Sequence, residues 1–143
     1  MWKLNNLIIV GSGPSGLTAG IYAGRAKLDP IIITGKTLGG VVAKLKNIEN
    51  YPGFANPIDG KTLISNMKEQ AINSGAKIVN DVIKDFYVLK DKKILIGESG
   101  TQYNTKAVIF ATGLNQSKST IKNINDFLGK GVSTCTTCDG PFL

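Results

Sequence analysis

The sequence contains no histidine. That excludes Ser-His-Asp and Cys-His catalysis, imidazole metal ligation and histidine-based pH switching. Cysteine is nearly as scarce. Cys135 and Cys138 are the whole supply, so one chain cannot assemble a four-thiolate or two-Cys-two-His zinc site. No apolar run approaches the roughly 18–20 residues of a membrane span, and no membrane association is expected. The opening Met1-Trp2-Lys3-Leu4-Asn5-Asn6 runs straight into strand-like sequence and does not read as a signal peptide, so the expected location is the cytoplasm.

What remains is globular material. Hydrophobic residues make up 42% and charged residues 19% of the 143 positions, which argues against a disordered tail. A chain of this length suits one domain, or a domain with a piece of another. A domain of this length can bury roughly 68–70% of its unfolded surface, so no disulfide staples are expected to be needed. The formal net charge of +7 raises the question of nucleic acid. However, residues 1–71 hold 8 basic and 4 acidic side chains and residues 72–143 hold 9 and 6, with one adjacent lysine pair, Lys92-Lys93. Nucleic-acid binders concentrate their charge on one face. The even spread reads instead as a solvated lysine-rich surface, which also suits an acidic protein partner.

Along the chain, Leu7-Ile8-Ile9-Val10 is a short apolar run ending in glycine, the pattern of a strand buried on both faces. Pro14 suits the first turn of a helix. That helix is expected to run to about Ala26, with Arg25 and Lys27 near its negative end. Pro30-Ile31-Ile32-Ile33-Thr34 reads as a second buried strand, completing a right-handed βαβ unit. Residues 35–60 are loop-like, broken by Gly39-Gly40, Tyr51-Pro52-Gly53 and Asn56-Pro57, and a loop this long usually has a job such as holding a ligand. An amphipathic helix follows, with Leu63, Ile64, Met67, Ala71 and Ile72 on one core-facing side, Asp59 as its cap and Gly75 as its stop. Lys77–Val79 is expected as a third parallel strand. Residues 82–89 and Lys93–Gly97 flank the turn Lys90-Asp91-Lys92, and Tyr103 begins a further short strand, giving a small antiparallel meander. Residues 107–111 read as another buried strand, closed by Thr112-Gly113. Residues 114–128 turn polar and asparagine-rich, as a linker does.

Two patterns carry chemistry. Gly11-Ser12-Gly13-Pro14-Ser15-Gly16 matches G-x-G-x-x-G, and its position between a strand and a helix gives the match meaning. Gly11 permits the tight turn, Gly13 lets a pyrophosphate approach the backbone, and Gly16 permits close helix–strand packing. The helix-start amides then face the phosphates. The plainer reading is a structural glycine turn. Gly20 and Gly24 on the same helix suggest close packing against the sheet. The acidic ribose ligand of a plain NAD site is missing, since the second strand ends Thr34-Gly35-Lys36. The second pattern is the C-x-x-C pair Cys135–Cys138, whose spacing suits a reversible disulfide in a cytosolic chain. A thioredoxin fold matches poorly, because this motif lies at the far end. Half of a zinc site completed by another chain is the competing reading. Asp139 is either an ordinary turn residue or the group that exchanges a proton with a leaving thiolate.

Together these pieces resemble the low-molecular-weight thioredoxin reductase family. The matching stretches, in family order, are residues 11–26 (GSGPSGLTAGIYAGRA), 33–40 (ITGKTLGG), 49–54 (ENYPGF), 108–113 (VIFATG) and 131–140 (GVSTCTTCDG). The resemblance implies an α/β fold: a Rossmann-like FAD-binding βαβ domain with a small antiparallel meander over residues 1–113, a linker over 114–128, and over 129–143 the start of the pyridine-nucleotide/disulfide domain. It implies FAD contacts from Gly11, Ser12, Gly13, Pro14 and Ser15 at the pyrophosphate and from Thr34 and Gly35 near the adenosine. Gly39, Gly40 and Asn50 lie near the ribityl and flavin parts. Val41 joins these cofactor-contacting positions, although the family usually has Gln there, which removes one polar contact. Val82 offers backbone to the adenine, and Ala111, Thr112 and Gly113 close over the cofactor. Electrons would pass from NADPH to flavin, then to the disulfide, then to thioredoxin or a thioredoxin-like protein. Cys138 would face the flavin, Cys135 would attack the partner disulfide, and Asp139 would be the acid–base group.

Family members are expected to be roughly twice as long, the size of a two-domain enzyme. The Gly-rich motif for the nicotinamide nucleotide is not in this sequence, so the NADPH site is not expected here. Residues 114–128 also lack the proline- and glycine-containing stretch common after the ATG strand. Ferredoxin-linked and peroxide-system reductases share the same modules, and a flavin-binding module without turnover is the reading of a different class. The resemblance also makes a homodimer an option.

Overall fold

In the computed structural model, which describes residues 4–114 and 120–133, the parallel strands form around Leu4–Val10. This strand, β1, turns Ile8 and Val10 to one face and Leu7 and Ile9 to the other, and all four are buried. That two-sided burial explains the unbroken apolar run. Helix α1 (Pro14–Arg25) starts with proline in its first turn, where the missing N–H costs nothing. It leads back to β2 (Ile31–Ile33), which pairs parallel to β1 with Ile8 opposite Ile31 and Val10 opposite Ile33. The observed β2 is shorter than the expected 30–34: Pro30 has no ladder donor, and the pairing with β3 ends at Ile33, although the Thr34 amide still donates to the Val79 carbonyl at 3.0 Å.

Residues 35–60 are mostly loop, with a short 3-10 turn at Val42–Lys44 and an antiparallel bridge between Ile48 and Ile58. Helix α2 (Gly60–Asn73) is capped as expected: the Asp59 carboxylate accepts from the Thr62 amide at 3.1 Å. Leu63, Ile64, Met67 and Ala71 are buried, but Ile72 is 47% exposed. Its assignment to the core face is corrected by helix geometry: it stands nine residues past Leu63, about two and a half turns, and so on the opposite side. Strand β3 (Lys77–Val79) pairs parallel to β2.

The second half differs more from expectation. β4 (Ile83–Val88) and β5 (Lys93–Gly97) form the expected hairpin. However, the short strand at Tyr103 and the strand at 107–111 are one element, β6 (Gln102–Phe110). Its first part pairs antiparallel to β5, and from Asn104 onward it runs parallel to β1. A single six-stranded sheet results, in the order β3-β2-β1-β6-β5-β4. The expectation that the end of β6 is buried is also corrected. Ile109 and Phe110 are exposed, and Phe110 meets Phe86 of β4 edge to face at 5.1 Å. Within residues 114–128, the described part contains a short 3-10 turn at Ile124–Phe127, followed by a bridge from Leu128 to Val132.

Two clusters sandwich the parallel strands. On one face, Leu7 and Ile9 pack with Leu17 and Ile21 of α1 and with Leu63, Ile64 and Met67 of α2. On the other, Ile8, Val10 and Ile33 pack with Leu95 of β5, flanked by Ile83 and Tyr103. The glycines of α1 fit the first layer. A Cβ on Gly20 would meet the Ile32 side chain, whereas one on Gly24 would meet the Ser74 carbonyl at the end of α2. Gly24 therefore packs against the second helix, not against the sheet. Glycine-to-alanine changes inside helices ordinarily stabilise by about 1 kcal/mol. Gly24→Ala is expected to do the reverse and lower the thermal midpoint, because backbone carbonyl blocks the new methyl group; a raised midpoint in a melting experiment would contradict this packing.

Candidate cofactor site

The carboxyl ends of β1, β2 and β6 lie side by side, because β1 is paired on both edges. Chain order reverses here, since β1 leads to β2 on one side while β6 lies on the other. Open α/β sheets bind ligands at such a point. The Gly11 amide donates to the Ile33 carbonyl and the Ala111 amide to the Val10 carbonyl, both at 2.8 Å. Gly11 has φ +113°, and a Cβ there would collide with the Ala111 carbonyl. A Cβ on Gly16 would collide with the Gly11 carbonyl. These two glycines are required by the fold itself.

Gly13 is different. Its φ of −68° is accessible to any residue, and a Cβ there would meet only the Gly39 carbonyl, at 3.9 Å. Neither backbone conformation nor protein packing demands glycine. The helix that begins beside it has no side-chain cap and no acidic residue in its first turn, although its first amides lack intrahelical acceptors. The loop is held from behind: the buried Ser12 hydroxyl donates to the Thr34 carbonyl at 2.9 Å and accepts from the Gly39 amide at 3.2 Å. Gly35 and Gly40 have positive φ and open space where a Cβ would stand, while Gly39 is pressed against Ile64.

A second cluster borders this one. The buried Asp81 carboxylate accepts from the Ser99 hydroxyl at 2.6 Å, the Tyr103 hydroxyl at 2.8 Å, the Val82 amide at 2.8 Å and the Ser99 amide at 3.3 Å. It lies directly on Gly97, where no Cβ would fit. Burial acts to raise its pKa, but the hydrogen bonds from Ser99, Tyr103 and Val82 outweigh that and hold it at about 2. The Tyr103 phenol moves up from its ordinary value, through burial first and then through Asp81 beside it.

The chain matches the family model described as pyridine nucleotide-disulphide oxidoreductase over residues 5–143. The chain belongs to that family. It is 44% identical over 140 residues to a thioredoxin reductase of Buchnera aphidicola, covering 98% of this chain and 44% of that protein. It is 38% identical to a bifunctional thioredoxin reductase/thioredoxin of Mycobacterium leprae, covering 98% of this chain and 31% of that protein. Among solved structures, a Streptococcus pyogenes thioredoxin reductase superposes with a TM-score of 0.82 at 32% identity, covering 98% of this chain and 45% of the other. The Lactococcus lactis enzyme gives 0.79 at 32% identity, covering 97% and 45%. The chain thus spans under half the length of these relatives.

Most of the glycine-loop residues named from sequence do come together. Gly11, Ser12, Gly13, Thr34, Gly39 and Ala111 are joined by the contacts above. Val41 and Asn50 are exposed on the long loop. Both main-chain groups of Val82 are already engaged: its amide donates to Asp81, and its carbonyl accepts from the Glu98 amide at 2.7 Å. Only the carbonyl's second lone pair remains for a ligand. Cys135, Cys138 and Asp139 lie outside the described residues. Among the described residues, no group of three or more His, Cys, Asp or Glu is placed to hold a metal, and no helix is long and apolar enough to cross a membrane.

Sequence reading missed Asp81, Ser99 and Tyr103. The one available signal was an acidic residue just past the end of a short strand. Because its pKa is depressed, Asp81 stabilises the fold above its ordinary value of 3.8, and that contribution is lost as pH falls toward about 2. In denaturant titrations, Asp81→Asn is expected to be less stable than the parent at pH 7. The gap should close between pH 4 and pH 2; a gap unchanged at pH 2 would show that the carboxylate charge is not its source.

Proposed function

We propose that this chain is the flavin-holding part of a thioredoxin-disulfide reductase. The observation that carries the reading is Gly13: with an ordinary φ and open space before it, the remaining reason for glycine is the approach of an outside group to the backbone. Pyrophosphate suits that place, since uncapped helix-start amides attract anions. The residues present fit FAD. Gly11, Ser12, Gly13, Pro14 and Ser15 would hold the pyrophosphate, and Thr34 and Gly35 the adenosine, with the Val82 carbonyl toward the adenine. Gly39, Gly40, Val41 and Asn50 would line the ribityl and flavin portion, and Ala111, Thr112 and Gly113 would close the site.

When bound, FAD would supply the electron pair that reduces a Cys135–Cys138 disulfide to two thiols, for onward reduction of thioredoxin. Cys138 is assigned to the flavin side, Cys135 to attack on the partner disulfide and Asp139 to proton exchange. NADPH is the proposed donor, bound by a part of the enzyme beyond these residues. The domain limits follow: residues 1–113 as the FAD segment, 114–128 as linker, 129–143 as the start of the disulfide domain. Support comes from the thioredoxin reductases that this chain resembles over nearly its whole length. Because it spans under half of theirs, the 143-residue chain is expected to bind FAD weakly and not to oxidise NADPH by itself.

The deciding experiment titrates the purified chain into FAD and follows flavin fluorescence and visible absorption. Quenching and a shifted flavin band are expected. Gly13→Ala, whose single methyl group meets only open space and the Gly39 carbonyl at 3.9 Å, should weaken binding by about tenfold through collision with the phosphates and lower the thermal midpoint only by the modest cost of losing glycine at the helix N-cap. Folded protein that neither quenches nor shifts the flavin would overturn the reading.

A further inference from the structure

The cradle is supported by a segment without a strand ladder of its own. β3 ends at Val79 and β4 begins at Ile83, so residues 80–82 are held only by individual contacts. On the cradle side, the Gly35 amide donates to the Asp81 carbonyl at 3.0 Å, one step beyond the point where β2 and β3 part company. Gly35 has φ +76° and open space where a Cβ would stand, so no side-chain packing holds it there. Its neighbour Thr34 offers the carbonyl that anchors the Ser12 hydroxyl, and Ser12 in turn anchors the Gly39 amide. On the far side, the Asp81 carboxylate takes hydrogen bonds from Ser99 in the β5–β6 turn and from Tyr103 on β6. Hydrogen bonds to a charged acceptor are the strong ones. They make Asp81 the fixed point between the hairpin and the cradle.

We propose that Asp81 is a positioning residue for the cofactor cradle: gripped by Ser99 and Tyr103, it fixes Gly35 and, through Thr34 and Ser12, the glycine loop. It touches no ligand itself. The proposal rests on the reading of this site as an FAD cradle. A carboxylate that merely staples the hairpin would stabilise β4 to β6 and leave the cradle unaffected, and this difference is what the test reads.

The test uses the full chain and the variants Asp81→Asn, Ser99→Ala and Tyr103→Phe, each held at a temperature where its circular dichroism is native. Hydrogen exchange is measured at the amides of Gly35 and Gly39, with Ile8 and Ile9 in β1 as internal references, and FAD binding is measured by fluorescence. Asp81→Asn is expected to speed exchange at Gly35 and Gly39 relative to the references. It should also weaken FAD binding by about tenfold, the scale on which losing an orienting partner acts at other sites. Tyr103→Phe and Ser99→Ala should move both readouts the same way by less, and they decide the matter if Asp81→Asn does not fold. Lowered melting temperatures with unchanged relative exchange and unchanged FAD affinity would overturn the proposal. Should the parent chain bind no FAD, the functional reading fails, and the exchange data alone still uphold or overturn the positioning role.

Discussion

Gly11 lies so close beneath the carbonyl of Ala111 that no side chain fits between them, and the rest of the site depends on that approach. It sets the end of β1 against the end of β6 while the Gly11 amide ties the same residue to β2. Gly16 repeats the device one turn into α1, seating the helix on the Gly11 carbonyl. With both contacts made, the start of α1 has one place to point, the space beyond the strand ends. A helix start directed there presents unpaired amides and a positive dipole end to whatever binds. The feature suited to an anion here is backbone, an uncapped helix start with no acidic residue in its first turn.

The sheet that carries this site is covered differently on its two faces. The helical layer is continuous and apolar, from Leu17 and Ile21 to Leu63 and Met67. The opposite layer is thinner, built on Leu95 with help from Ile83 and Tyr103. Burying apolar area stabilises roughly in proportion to the area removed from water, so the thinner layer contributes less. Its polar substitute is the Asp81 cluster, which ties the β5–β6 turn and Tyr103 of β6 to the segment after β3. Beyond it β4 is largely exposed, with Phe86 and Phe110 covering one another in part.

Much of the first half was legible because its determinants are local. A continuous apolar run ending in glycine, a proline at the first position of a helix and an aspartate three residues before Thr62 each act within a few residues. β1, α1 and the Asp59 cap follow from them, with strand and helix boundaries differing by a few residues. Ile72 shows where local pattern fails: its hydrophobicity fitted the helix, but its angular position did not. Strand β6 shows a second limit. Tyr103 and the 107–111 run look like separate strands because polar Asn104 to Lys106 divides them. Asn104 and Thr105 are nevertheless buried within one strand paired on both edges.

Short-range patterns carry the family resemblance. Lack of histidine excludes imidazole chemistry, while the glycine spacing within a βαβ unit and the C-x-x-C pair point toward dinucleotide and thiol chemistry. Those signals work because turn geometry and backbone approach depend on residues only a few positions apart. Tertiary structure decided which glycines serve the fold and which face open space, separating Gly11 and Gly16 from Gly13. It also brought Asp81 to Ser99 and Tyr103, 18 and 22 residues away. Such contacts are set by strand pairing, whose register depends on the burial of whole faces and not on any short stretch of sequence.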